Sequence, residues 1–195
     1  MRDSEPLTGE PLALDLVNTR PATAGGRTDL LDTPERLAAW LALEEARMGP
    51  ETGGDVPTEA DLAAIHAVRA HTERAVHALL RGQEPPAAAL RGLTDAQRVA
   101  PAVRELTWDG GRVTPTVRRT GPLGIRLAAL LAEAAADLLT DPAIGRLREC
   151  EADDCVMLFL PANPRRRWCS AARCGNRARV ARYYQRHKQA AGREQ

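Results

Sequence analysis

Apolar residues recur at helical spacing in several long stretches of the chain and alternate in only one. In TPERLAAWLALEEAR, Leu37, Trp40 and Leu41, with Glu44, fall on one helical face, which places Trp40 in a core. Thr33 stands where an N-cap is needed, Pro34 at the first helical position and Glu35 in the first turn. A second helix is predicted over TEADLAAIHAVRAHTERAVHALLRG. Thr58 is its cap, with Asp61 three positions on. Leu62, Ile65, Thr72, Val76 and Leu79 form its stripe, and Gly82 marks its end. PPAAALRGLTDAQRVA (85–100) reads as a third helix that Gly92 weakens. The last helix of the body spans roughly 123–140, with Leu123, Leu127, Leu130, Leu131, Ala134 and Leu138, and Asp141-Pro142 closes it.

The exception is VRELTWDGGRVTPTVRR. Two β-suited runs flank Asp109-Gly110-Gly111, a strong hairpin signal. EPLALDLVNTR, with Leu12, Leu14, Leu16 and Val17, fits a strand or a short helix equally, because its period does not decide. PATAGGRTDLLDT (21–33) reads as a loop. The body is therefore mainly α with one β-hairpin over residues 1–145, and its boundary with a C-terminal module (146–195) lies near 141–148.

Charge sharpens that division. Residues 146–195 carry twelve basic and five acidic side chains, a net of +7, against −6 for residues 1–145. An acidic body with a basic end segment points that segment at a polyanion; a merely solvated face, or one docked on the acidic body, is the plainer alternative. The N-terminus has no apolar signal core, and the most apolar run, 127–139, is short and holds Glu133 and Asp137. These features set the expectation of a cytoplasmic protein with no membrane partner.

All four cysteines lie in the basic segment, as Cys150-x4-Cys155 and Cys169-x4-Cys174 with 13 residues between the pairs. Two close pairs separated by a hairpin-length gap form a metal pattern, since each pair presents two thiolates and the gap brings the chain back to close a tetrahedron. One Zn²⁺ is the best match. Disulfides and an iron–sulfur cluster are the alternatives, the first disfavoured by a reducing compartment. Four thiolates leave the metal no open position, so its role is structural: about 50 residues bury too little surface to fold confidently unaided. VMLFLPANPRRRW reads as a tight hairpin. GNRARVARYYQRHK reads as a helix capped by Asn176, with Val180, Tyr183, Tyr184 and His187 on one packed face. Knuckle, hairpin and terminal helix make a treble-clef-like arrangement.

The C-terminal pattern RLREC…C…F…RRWCSAARCGNRARV resembles the CGNR zinc-finger family of bacteria, whose tetrad stands here as Cys174-Gly175-Asn176-Arg177. LALDLVNTR followed by DLLDTPERLAAWL is similar to the ABATE-type domain that precedes this finger, mainly through Leu14-Asp15-x-Val17-Asn18-Thr19. The resemblance covers nearly the whole chain. It implies a transcription regulator whose finger binds DNA. The family often has Asp at the position of Pro161, Met at Ala171 and Lys at Arg179.

Arg165, Arg166 and Arg167 precede the second cysteine pair, and Arg173, Arg177, Arg179, Arg182, Arg186 and Lys188 follow on or near the helix. Arginine suits phosphate clamping and guanine reading, so these nine are the candidate DNA contacts. One small finger gives little affinity, so a homodimer is expected. A zinc-stabilised protein-interaction module that ignores nucleic acid is the rival reading, and RNA is a third partner that the sequence does not separate from DNA. Asp15, Asn18, Thr19 and Arg20 form a polar cluster with two uses. They line a pocket for a small-molecule effector, or they cap a helix and bond a loop. His66, His71 and His77 share the second helix without a metalloprotease order, and no enzyme is expected.

Overall fold

The computed structural model describes residues 6–23, 26–52 and 54–191; the side chains of residues 23, 50 and 185–191 lie outside that description. The undecided N-terminal segment is a helix, α1 (Leu12–Val17), in which Ala13 to Val17 are all buried. A helix surrounded on every side shows no amphipathic period, which is why pattern alone could not place it. Within the loop that follows, β1 (Ala22–Thr23) pairs briefly with β2 (Gly26–Arg27).

Helices α2 (Pro34–Met48) and α3 (Glu59–Leu80) start where their caps predict. Thr33 accepts from the Arg36 amide, and Thr58 and Asp61 form a reciprocal capping box. Asp61 also accepts the Gly124 amide at 2.6 Å, tying the start of α5 (Leu123–Thr140) to the start of α3. A side chain at Gly124 would lie 2.5 Å from the Asp61 Cα, so only glycine permits this approach. Gly92 has a similar task in α4 (Ala87–Val99). A Cβ there would sit 2.3 Å from the His71 ring, so the residue that weakens the helix is the one that lets it close on α3.

Helices α3, α4 and α5 pack mutually, α1 lies across α3 and α5, and α2 rests on α3. Leu14, Leu16, Trp40, Ile65, Val76, Leu127 and Leu131 fill the core. Leu158, from the C-terminal segment, is fully buried in this same core. The cysteine-bearing segment is thus built onto the body rather than tethered to it.

The hairpin β3 (Val103–Asp109) and β4 (Arg112–Arg118) forms around Gly110 and Gly111, with Asp109 opposite Arg112 and Gly110 at a φ of 55°. Every residue of β3 is exposed. In the C-terminal segment β5 (Arg148–Glu149) pairs with β6 (Leu158–Phe159), so the short hairpin closes over the first cysteine pair. Residues 163–166 then turn, and the Arg167 carbonyl returns to accept the Glu151 amide. A wide turn over Ala171–Gly175, capped by Ser170, leads into α6 (Asn176–Ala191). Ser170 rather than Asn176 is the cap, because the helical path begins one turn earlier than the sequence suggests. The expected packed face of α6 is not packed: Val180, Tyr183 and Tyr184 are exposed, and the His187 side chain lies outside the described residues. Among the described residues no helix is long and apolar enough to cross a membrane.

Candidate functional site

The four cysteines converge. Cys150 follows β5, Cys155 closes the turn before β6, Cys169 ends the returning segment and Cys174 lies in the turn before α6. Their Sγ atoms all lie within 4.8 Å of one another. Cys155 to Cys169 is 3.9 Å and Cys169 to Cys174 is 3.6 Å. A tetrahedral zinc with Zn–S bonds of about 2.3 Å requires sulfurs about 3.8 Å apart. A disulfide would need about 2.0 Å, and all four cysteines are free. The donor set therefore fits a zinc ion.

The surroundings manage the negative charge of that set. The Cys155 thiol is raised chiefly because it donates to Cys169. The same hydrogen bond lowers Cys169 to about 5. Burial raises Cys174 to about 11. Crowded sulfurs share protons in this way, and a bound cation removes the conflict. Arg177 adds a fixed positive charge: it donates to the Cys174 Sγ at 3.1 Å and pairs with Asp154 at 2.6 Å. Its own proton is held more tightly, first by the bond to Cys174. Cys150 accepts the Cys169 amide at 3.3 Å.

The site is locked to the body by side chains from the first twenty residues. Asn18 bonds both backbone groups of Leu158. Glu10 accepts the Leu160 amide at 2.9 Å and pairs with Arg166 at 2.6 Å. Arg166 also donates to the carbonyls of Trp168 and Cys169 and lies 4.4 Å over the Phe159 ring. Asp15 accepts the amides of Gly9 and Glu10 and pairs with Arg47, which reaches the Glu10 carbonyl and Glu44. Burial pushes the Asp15 pKa up to about 7 despite Arg47. Thr19 donates to the Leu16 carbonyl and accepts from Arg69, and Arg20 pairs with Glu73. The four residues weighed as a ligand pocket are bonded to the fold at these points. None lines the two cavities beside the finger.

The nine basic candidates separate by environment. Arg166 and Arg177 are spent on docking and on the sulfur site. Arg173 lines, with Arg177, a cavity of about 170 Å³ beside Cys155, Cys169 and Cys174. Arg167 pairs with Glu151 and lies 5.4 Å over Trp168. Arg179 donates to the Asn176 side chain at 2.8 Å. Arg165 and Arg182 have no ion pair among the described residues. Together with Arg166, Arg167, Trp168 and Ala171 they line an open groove of about 350 Å³. The side chains of Arg186 and Lys188 lie outside the described residues.

Sequence reasoning missed Glu10, Arg47 and Arg69. Arg69 had left a signal: it falls within the apolar stripe of α3, between Ile65 and Thr72, and is buried in a two-pronged pair with Asp29. Arg47 had left one as well, three positions after Glu44 on the apolar face of α2. Glu10 left none, because its side-chain partners Leu160 and Arg166 are far along the chain.

Residues 10–142 match the ABATE family model, described as "Putative stress-induced transcription regulator". Residues 146–187 match the CGNR zinc finger. No curated protein matches the chain. Four sulfurs at zinc spacing, within a segment that carries the finger's pattern, make the metal one structural Zn²⁺ held by Cys150, Cys155, Cys169 and Cys174. The chain belongs to the ABATE family and carries a CGNR zinc finger at its C-terminal end.

Proposed function

We propose that the protein is a DNA-binding regulator that grips the phosphate backbone in the groove between Arg165, Arg167 and Arg182. That groove carries the reading. It joins the returning loop of the finger to α6, it is open, and two of its arginines are without an ion pair among the described residues. Guanidinium groups at such a surface match phosphate oxygens, and Trp168 offers an apolar floor. Zinc has no part in chemistry here; four thiolates saturate it, and it fixes the relative positions of loop and helix. Catalysis is not part of this reading, and the site of action is the cytoplasm. An effector would have to enter elsewhere than the Asp15–Arg20 cluster, whose side chains are already bonded.

A second reading is a zinc-stabilised interaction module that binds no nucleic acid. It is favoured by the pairing of Arg166 with Glu10, in which a finger arginine holds the body. The two readings part on one experiment. Immobilised zinc-loaded protein is incubated with sheared genomic DNA, and retained DNA and bound zinc are measured for the wild type and for an Arg165→Ala/Arg182→Ala variant. Backbone binding requires retention by the wild type, and its loss in the variant at unchanged zinc content. Equal retention by both, or none by either, removes the proposal.

A further inference from the structure

The hairpin β3–β4 has two unlike faces. Val103, Glu105, Thr107 and Asp109 share one face with Arg112, Thr114, Thr116 and Arg118. Apart from Val103 at its end, this face is polar and internally bonded: Glu105 pairs with Arg118 at 3.0 Å, and the hydroxyls of Thr107 and Thr114 meet at 3.0 Å. It is suited to water. The opposite face carries Arg104, Leu106 and Trp108 beside Val117, Pro115 and Val113. There Leu106 is 69% exposed, Trp108 71%, Val113 58% and Val117 46%. Among the described residues no helix covers it, as the exposure of these four side chains shows. A lone two-stranded hairpin is marginal in water, and a contiguous apolar patch of this size marks a contact surface.

We propose that this apolar face is a homodimer interface, packed against the same face of a second copy. The exposed area supports that occupant. The face offers roughly 500 Å² per copy, so a symmetric pair hides about 1,000 Å², the lower bound for a specific interface. The charge pattern supports it too. Arg104 is the one charged residue of the face and lies at the end opposite Trp108. With the two-fold axis set across the strands, the face-to-face hairpins run in opposite senses and each Arg104 lies over the Trp108 ring of the other copy, a cation–π contact. Edge-on pairing is discouraged along β4. Counting back from the Asp109–Arg112 pair that closes the turn, Leu106 and Pro115 form a non-hydrogen-bonded pair. The N–H that proline lacks is therefore missing from the outer edge, where another strand would need it.

The test is the mass of the full-length, zinc-loaded chain by sedimentation equilibrium over a concentration series, with Trp108 emission followed in parallel as the difference between the wild type and Trp108→Phe, since Trp40 and Trp168 also emit. The wild type is expected as a dimer at about 10 µM, an ordinary affinity for an interface of this size. Leu106→Glu and Trp108→Glu should each be monomers with unchanged zinc content and helical circular dichroism. Thr107→Glu, on the polar face, should remain a dimer. A wild type that stays monomeric up to about 100 µM overturns the proposal. So does a dimer that survives Leu106→Glu, or one that Thr107→Glu dissociates equally. A monomer whose Trp108 emission shifts only on adding duplex DNA or anionic vesicles assigns the face to those occupants and likewise overturns it. None of these masses measures DNA binding.

Discussion

The side-chain amide of Asn18 bonds both the backbone N–H and the backbone carbonyl of Leu158, each at 2.8 Å, across 140 residues of sequence. One side chain thus acts as a strand partner for β6. It fastens the zinc finger to the buried α1 helix, and Leu158 enters the body's core at that point. Asn18→Ala leaves two buried backbone groups without partners. It should cost about 2–4 kcal/mol, since each orphaned group costs roughly 1–3 kcal/mol. Urea unfolding of the zinc-loaded protein measures this. A loss below about 0.5 kcal/mol, typical of neutral surface changes, would show that the contact does not hold the finger.

Arg177 serves the metal rather than the groove. Its bond to Cys174 and pair with Asp154 place a cation against a thiolate ligand. Arg177→Ala should weaken zinc retention about 10-fold or more, as removal of a group that supports a ligand commonly does. Competition with a chromophoric chelator gives the value, and Arg177→Lys should recover part of it.

Asp15 makes the fold sensitive to pH. Its folded pKa of about 7 lies above the ordinary 3.8, chiefly through burial. Between those values the folded chain holds a proton that the unfolded chain releases. The contribution of the neutral carboxyl is complete below about 4 and is lost as pH rises through about 7, a change on the order of a few kcal/mol. Urea midpoints for wild type and Asp15→Asn between about pH 5 and about 8, on either side of the folded value, test it. The variant should show a flatter profile, because a carboxamide at this position stays neutral throughout.

Cys155→Ser removes one of four ligands and should abolish stoichiometric zinc binding, with exposure of Phe159 and Trp168 that now pack against the cysteines. Arg182→Ala should leave zinc untouched. Metal content by atomic emission separates the two. Zinc loss in Arg182→Ala would erase the division between residues that hold the finger and residues that meet a partner.

What the sequence revealed, and what it hid, follows from range. Thr33, Thr58 and the Gly110-Gly111 turn act on their own neighbours, so their effects could be read locally. The cysteines declared the metal through type and spacing. Asn18 and Glu10 find partners 140 to 156 residues away, and no local pattern announces such a contact. Val180, Tyr183 and Tyr184 show the converse: their spacing defined a face, but periodicity cannot say whether anything covers it. The arginines were legible as a charge run only. Their sorting into Arg166 at Glu10, Arg177 at Cys174, and Arg165 and Arg182 at the groove needed the folded chain.

Titration of a labelled DNA duplex with the zinc-loaded protein, repeated from about 50 to about 200 mM salt, tests the central claim most directly. Backbone gripping by the groove predicts measurable binding at the lowest salt. The logarithm of affinity should fall linearly with that of salt, by about 0.9 per phosphate neutralised. Arg182→Ala should make that slope shallower by about one phosphate. No binding at the lowest salt, or a slope that Arg182→Ala leaves unchanged, would contradict the account.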